Sequence, residues 1–173
     1  MPYSEKAGKE FIKKTVARLA PKTILDIGAG AGTYSKLLRT NEHWTALEVW
    51  APYIEKFNLK NLYDEIIIED VRNWTPKKYD VAIAGDVLEH MSAQESQGVL
   101  IKLRKNIDFT FVSVPFGTNP QGEVEGNPYE AHVEEYWNHE KMLLNFGPPL
   151  MYIIEDGDWC TMGVYLYSRI FNK

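Results

Sequence analysis

Three ionisable side chains crowd the segment Gly85-Asp86-Val87-Leu88-Glu89-His90-Met91. Asp86 and His90 are four apart, so in a turn leading into a helix they share a face. A carboxylate and an imidazole lining one cavity can move a proton near neutral pH, since an unperturbed imidazole titrates at about pH 6.5. The competing reading is a helix cap beside an ion-paired histidine. An apolar run, Tyr79-Asp80-Val81-Ala82-Ile83-Ala84, precedes the cluster, so it falls at the end of a strand.

A second constellation is Ile24-Leu25-Asp26-Ile27-Gly28-Ala29-Gly30-Ala31-Gly32-Thr33-Tyr34-Ser35. A short apolar run ends in a carboxylate, three glycines follow at alternate positions, and a helical pattern begins. Gly28 supplies a backbone angle closed to other residues, and Gly30 lets a ligand approach the main chain. Gly32 leaves room for the helix against the strand. The dinucleotide fingerprint is G-x-G-x-x-G and cradles a pyrophosphate. Here the spacing is G-x-G-x-G, with Asp26 just ahead. That carboxylate repels a pyrophosphate and favours an amino group or a sulfonium. The loop therefore reads for S-adenosylmethionine over NAD, with Ala29 and Tyr34 among its candidate contacts.

Two further acids end apolar runs. Glu48 lies 22 positions after Asp26, where an acid accepts from both ribose hydroxyls. Val49 and Trp50 follow and can pack on an adenine face. Asp70, in Ile68-Glu69-Asp70-Val71, can accept from the adenine amino group while the Val71 N–H donates to a ring nitrogen. A solvated strand-end acid and a turn cap are the competing readings.

Periodicity supplies the elements that position these groups. A first helix spans 4–19 with Ser4 as cap, and Pro21 stops it. Strands follow at 22–27, 44–49, 65–69, 79–85 and 109–114, the third a buried β-branched run of Ile66, Ile67 and Ile68. Helices are expected at 33–39, from Pro52, at 93–105 and at 137–146. Residues 115–136 carry no period and hold Gly117, Pro120, Gly122, Gly126 and Pro128, which suits an active-site loop. Strands at 150–155 and 160–168 flank Asp156-Gly157-Asp158, a hairpin signal. Five strand–helix units and a closing antiparallel hairpin make an α/β, doubly wound sheet in one domain, 1–173, with 1–20 as N-terminal helix and lid and 21–173 as core.

The glycine loop, Glu48, Asp70 and the Tyr79–His90 segment together resemble the class I S-adenosylmethionine-dependent methyltransferases, over nearly the whole chain. The resemblance implies a Rossmann-like sheet of seven strands, the last antiparallel. It implies that Asp26, Gly28 and Gly30 run along the methionine part of the cofactor, that Glu48 holds ribose, and that Asp70 and Val71 hold adenine. Ala29, Gly32, Tyr34, Val49 and Asp86 join them as cofactor candidates. Leu88-Glu89-His90 is similar to an element of the quinone-pathway O-methyltransferases and the plant-type small-RNA 2′-O-methyltransferases. By that likeness Asp86, Glu89, His90 and His132 hold a divalent metal, Mg²⁺, Mn²⁺ or Zn²⁺. Without a metal, His90 acts as a base.

The expected activity is methyl transfer, with catalytic candidates His90, Glu89 and Asp86. Carboxylates beside a histidine suit an oxygen acceptor, and Tyr129 and His132 are substrate candidates on the loop. A small hydroxylated metabolite or sugar is the expected acceptor. The loop is assigned to turnover, because the cofactor elements lie on the first four strands. A non-catalytic cofactor-binding subunit and a nicotinamide-dependent oxidoreductase are the rivals.

Bulk properties bound this reading. The chain has 173 residues, 45% hydrophobic and 25% charged, as in a globular domain with a proper core. Its formal charge is 19 − 24 = −5, and no basic stripe suits a nucleic-acid surface. No apolar run is long enough for a membrane span, and the opening Met1-Pro2-Tyr3-Ser4-Glu5-Lys6 has no apolar signal region. The single Cys160 fits a reducing, cytoplasmic compartment. The lid comes from the first helix and the 115–136 loop, or from a second subunit in a homodimer.

Overall fold

The computed structural model describes residues 4–169, so Met1-Pro2-Tyr3 lie outside the described residues. The nine strands among the described residues are β1 (Thr23–Ile27), β2 (His43–Glu48), β3 (Glu65–Ile68), β4 (Tyr79–Gly85), β5 (Ile107–Pro115), β6 (Gly117–Thr118), β7 (Tyr136–Trp137), β8 (Met151–Asp156) and β9 (Thr161–Ser168). The five α-helices among the described residues are α1 (Lys9–Leu19), α2 (Thr33–Leu38), α3 (Pro52–Lys56), α4 (Ala93–Asn106) and α5 (His139–Phe146).

Seven strands form one sheet in the order β3-β2-β1-β4-β5-β9-β8. β1 to β5 pair in parallel, while β9 runs antiparallel to both β5 and β8. The expected doubly wound sheet with an antiparallel last strand is present. The chain reverses its winding between β1 and β4, which is where such sheets open a crevice. Ile27 pairs with Ala84 across that switch. The glycine loop and Asp86 therefore leave the sheet side by side.

The sheet separates two apolar layers. Leu25 and Ile27 face a layer with Val99, Leu100 and Leu103 of α4 and Met142 and Phe146 of α5. Ile24 faces the other layer, with Ile12 and Val16 of α1 and Tyr34 and Leu38 of α2. Strand alternation turns Asp26 to the same side as Ile24. α4 is bounded by a reciprocal cap, in which Ser92 and Glu95 each bond the other's main-chain N–H.

Four expectations are corrected. α1 begins at Lys9 after a left-handed Gly8, so Ser4 does not cap it. β3 is an edge strand, and Ile68 is 56% exposed where a buried run was expected. No helix joins β3 to β4, so one of the five strand–helix units lacks its helix. Trp137 is not helical: it pairs with Gly117 in the β6–β7 ribbon, and α5 starts only at His139 under an Asn138 cap. That ribbon, with the Asn119 N–H donating to the Glu135 carbonyl at 2.8 Å, closes the base of the long loop.

Candidate active site

One cleft of about 900 Å³, its open mouth included, lies at the carboxyl edge of the sheet. Gly28, Ala29, Gly30, Tyr34, Glu48, Val49, Asp70, Val71, Asp86 and His90 all line it. The winding switch explains this convergence, because the ends of β1, β2 and β4 meet there.

Gly28 has φ 65°, and a Cβ there would stand 2.8 Å from Val87 Cγ2. The position needs glycine for both reasons. Glu48 is 3% exposed, and burial raises its pKa. Its Oε2 accepts the Gly30 N–H at 2.9 Å and its Oε1 the Trp50 N–H at 2.8 Å. The acid thus holds the glycine loop as well as facing the cleft.

Asp26 and Gly32 do not line the cleft. Asp26 is buried beneath the loop and accepts from Tyr63 Oη at 2.5 Å. Burial, opposed by that bond and reinforced by the Glu48 charge, pushes its pKa up to about 7. A Cβ on Gly32 would stand 2.5 Å from Leu62 Cδ1, so the room it leaves is for the segment after α3. Asp70 takes both Arg72 Nε, at 3.0 Å to Oδ1, and Nη2, at 2.6 Å to Oδ2. Arg72 therefore shares the edge of the cleft where adenine was expected.

Asp86 sits in the left-handed region, φ 57°, an uncommon posture for a residue with a side chain. Ser113 Oγ donates to its Oδ1 at 3.3 Å, and Tyr34 Oη lies 3.4 Å from the same serine oxygen. Asp86 Oδ2 is buried with no hydrogen-bond partner among the described residues, and burial raises the pKa of the group. Glu89 is 2% exposed, its Oε2 likewise has no partner, and burial followed by the Asp86 charge raises its pKa well above the usual range.

Glu89, His90 and His132 bring one ligand atom each within 4.8 Å of one another. Asp86 does not join this group, although the resemblance implied it as one of four ligands. Its backbone leaves β4 toward Ser113, on the other side of the turn. His90 Nδ1 is 3.2 Å from the Ala131 carbonyl, and His132 Nδ1 bonds the Asn119 carbonyl. Main-chain acceptors at both Nδ1 atoms fix those atoms as N–H. Burial, then the neighbouring His132, lowers the His90 pKa to about 4. An uncharged imidazole at neutral pH follows.

The long loop reaches further than expected. Asn127, Tyr129 and Glu130 line the same cleft as Glu48. Tyr53 Oη donates to Glu130 Oε1 at 2.9 Å, and the Tyr129 ring lies 6.3 Å from that of Trp50. Tyr129 thus stands at the end where Glu48 is, not beside His90. The loop therefore lines the cleft beside Glu48 as well as meeting His90. Tyr53, Glu130 and Ser113 escaped the sequence reading. Ser113, a hydroxyl at the end of the apolar strand Phe109–Val114, carried a signal; Tyr53 and Glu130 carried none, because only the folded loop joins them.

No family model matches the chain, and no curated protein sequence matches it. Solved structures do match. An S-adenosylmethionine-dependent methyltransferase from Clostridium acetobutylicum ATCC 824 aligns at TM-score 0.70 and 11% identity, over 96% of this chain and 92% of that one. Magnesium protoporphyrin IX methyltransferase from Synechocystis PCC 6803, with S-adenosylmethionine bound, aligns at 0.66 and 14%, over 91% and 77%. The N-methyltransferase NodS from Bradyrhizobium japonicum WM9, in complex with S-adenosylhomocysteine, aligns at 0.68 and 11%, over 92% and 86%. The chain has the fold of the S-adenosylmethionine-dependent methyltransferases. Among the described residues no helix is long and apolar enough to cross a membrane.

Proposed function

We propose that this protein binds S-adenosylmethionine and transfers its methyl group to a hydroxyl of a small hydroxylated metabolite or sugar, in the cytoplasm. The observation that carries the reading is one cleft lined by Gly28, Gly30, Glu48 and Asp86 together. The residues fit the cofactor. Glu48 retains lone pairs for ribose hydroxyls beyond the two main-chain bonds it accepts. The left-handed glycines bring backbone to the cleft wall without side chains, and the surrounding carboxylates favour a sulfonium.

The cofactor supplies an activated methyl group; the protein supplies position and a proton acceptor. Holding donor and acceptor in line replaces a bimolecular encounter, and effective molarities of about 10⁵ M or more are available from such orientation. Asp86 lines the cleft, where its carboxylate is placed to take the proton of an acceptor hydroxyl. Burial raises its basicity, which suits a general base. Ser113 holds one carboxylate oxygen and fixes the direction of the group.

Glu89, His90 and His132 fit a divalent cation. The set mixes oxygen and nitrogen, Glu89 Oε2 is a buried acceptor without a partner, and both Nδ1 atoms are bonded to carbonyls that orient the rings. A cation held there would lower the pKa of a nearby hydroxyl.

Calorimetry with S-adenosylmethionine, S-adenosylhomocysteine and NAD tests the cofactor. Heat with the first two and none with NAD is expected; the reverse pattern removes the reading. Transfer of labelled methyl from S-adenosylmethionine to a panel of sugars and polyols, set against matched amines, then tests the acceptor class.

A further inference from the structure

The segment 130–134 touches both ends of the cleft. At one end the Glu130 carboxylate takes the Tyr53 hydroxyl, on the helix that follows Glu48. At the other, the Ala131 carbonyl faces His90 Nδ1, His132 joins Glu89 and His90, and the Val133 and Glu134 N–H groups donate to the Glu89 carbonyl at 2.9 and 3.0 Å. Gln121 clamps the middle: its Nε2 donates to the Glu130 carbonyl at 2.6 Å, and its own carbonyl accepts the His132 N–H at 2.9 Å. Few residues thus separate a contact with the Glu48 side from a contact with the histidine side.

We propose that Tyr53 and Glu130 are positioning residues that couple ligand binding beside Glu48 to assembly of the Glu89–His90–His132 group. This rests on the reading above that the ligand is S-adenosylmethionine or its product. The driving force is electrostatic. Glu48 and Glu130 both line the cleft, and like charges facing one cleft repel. A ligand that places hydroxyl donors against Glu48 removes part of that repulsion. Glu130 then settles more firmly on Tyr53, and the main chain it carries presses Ala131 and His132 toward His90 and Glu89. The coupling is reciprocal by linkage, so filling the histidine group must strengthen binding beside Glu48 by the same factor.

Hydrogen exchange and metal titration test this without any acceptor. Saturating S-adenosylhomocysteine is expected to slow exchange of the Val133 and Glu134 amides about fivefold or more, and to tighten Mn²⁺ binding by a comparable factor. Tyr53→Phe keeps the ring against Phe57 and removes only the hydroxyl. It is expected to bind S-adenosylhomocysteine but lose both effects. Glu130→Gln keeps an acceptor for Tyr53 and removes the repulsion, so its amides should be protected, and Mn²⁺ bound tightly, before S-adenosylhomocysteine is added. A purely structural role for Glu130 predicts the opposite, a looser loop. Full protection by S-adenosylhomocysteine in Tyr53→Phe overturns the coupling. So does wild-type protein that binds S-adenosylhomocysteine with no change at Val133 and Glu134. Absence of any heat with S-adenosylhomocysteine instead overturns the cofactor reading itself, which separates the two failures.

Discussion

His90 and His132 meet edge to face with ring centroids 4.9 Å apart, and each has its Nδ1 committed to a main-chain carbonyl. The pair comes from two unrelated elements, the turn after β4 and the long loop. Its geometry sets both rings beside the buried Glu89 carboxyl, a mixed oxygen and nitrogen set that fits a divalent cation.

A metal there is testable. His132→Ala is expected to weaken Mn²⁺ binding by at least the roughly 10–100-fold seen for lost supporting groups at metal sites, with S-adenosylhomocysteine binding retained. Chelation followed by Mg²⁺ or Mn²⁺ addition should abolish and then restore methyl transfer. Full activity after complete metal removal would leave Asp86 acting alone.

Glu48→Ala should cost S-adenosylhomocysteine about 1.5–3 kcal/mol of binding, the scale of charge-assisted hydrogen bonds. Because Glu48 also receives the Gly30 and Trp50 N–H groups, the same variant should melt at lower temperature. Calorimetry and a thermal melt read the two effects. Unchanged affinity would make the acid a purely structural clamp.

Asp26 makes the ligand-free protein less stable as pH rises. Its carboxyl titrates at about 7 in the fold, against about 3.9 in an unfolded chain. Between those values the folded state holds the extra proton, so stability is complete below the lower value and falls through the upper one. The slope approaches about 1.4 kcal/mol per pH unit within the window. Denaturant melts from pH 4 to 8 on wild type and Asp26→Asn measure it. The asparagine variant should lack this component, and parallel curves would show that Asp26 titrates normally.

Gly28→Ala must force a side chain into a left-handed backbone and against Val87. A cost of about 1–2 kcal/mol comes from the backbone alone. The clash adds to it. Val87→Ala in the same chain should recover the clash component but not the backbone one, which a double-mutant cycle in urea resolves. Full recovery would mean the backbone strain is negligible.

Strand and helix types, the parallel sheet, the glycine loop and the acids at strand ends were legible from residue order alone. They depend on period, turn chemistry and apolar runs, all of which are local. Glu48 could be placed at the cleft because strand β2 must end where its apolar run ends. The sequence could not show that β3 lies at the edge, since Ile66-Ile67-Ile68 has the same composition in the middle of a sheet. It named Asp26 as a cofactor contact, whereas strand alternation and the packing of Tyr63 put that carboxylate under the loop. The resemblance grouped Asp86 with Glu89, His90 and His132, but a left-handed turn at Asp86 sends its carboxylate to Ser113 instead. Tyr53 and Glu130 meet only because the β6–β7 ribbon closes the long loop back over the cleft. Local sequence determines which groups stand at the edge of this sheet. Which of them face one another is decided by long-range packing, where loop closure and burial outweigh any preference the chain expresses residue by residue.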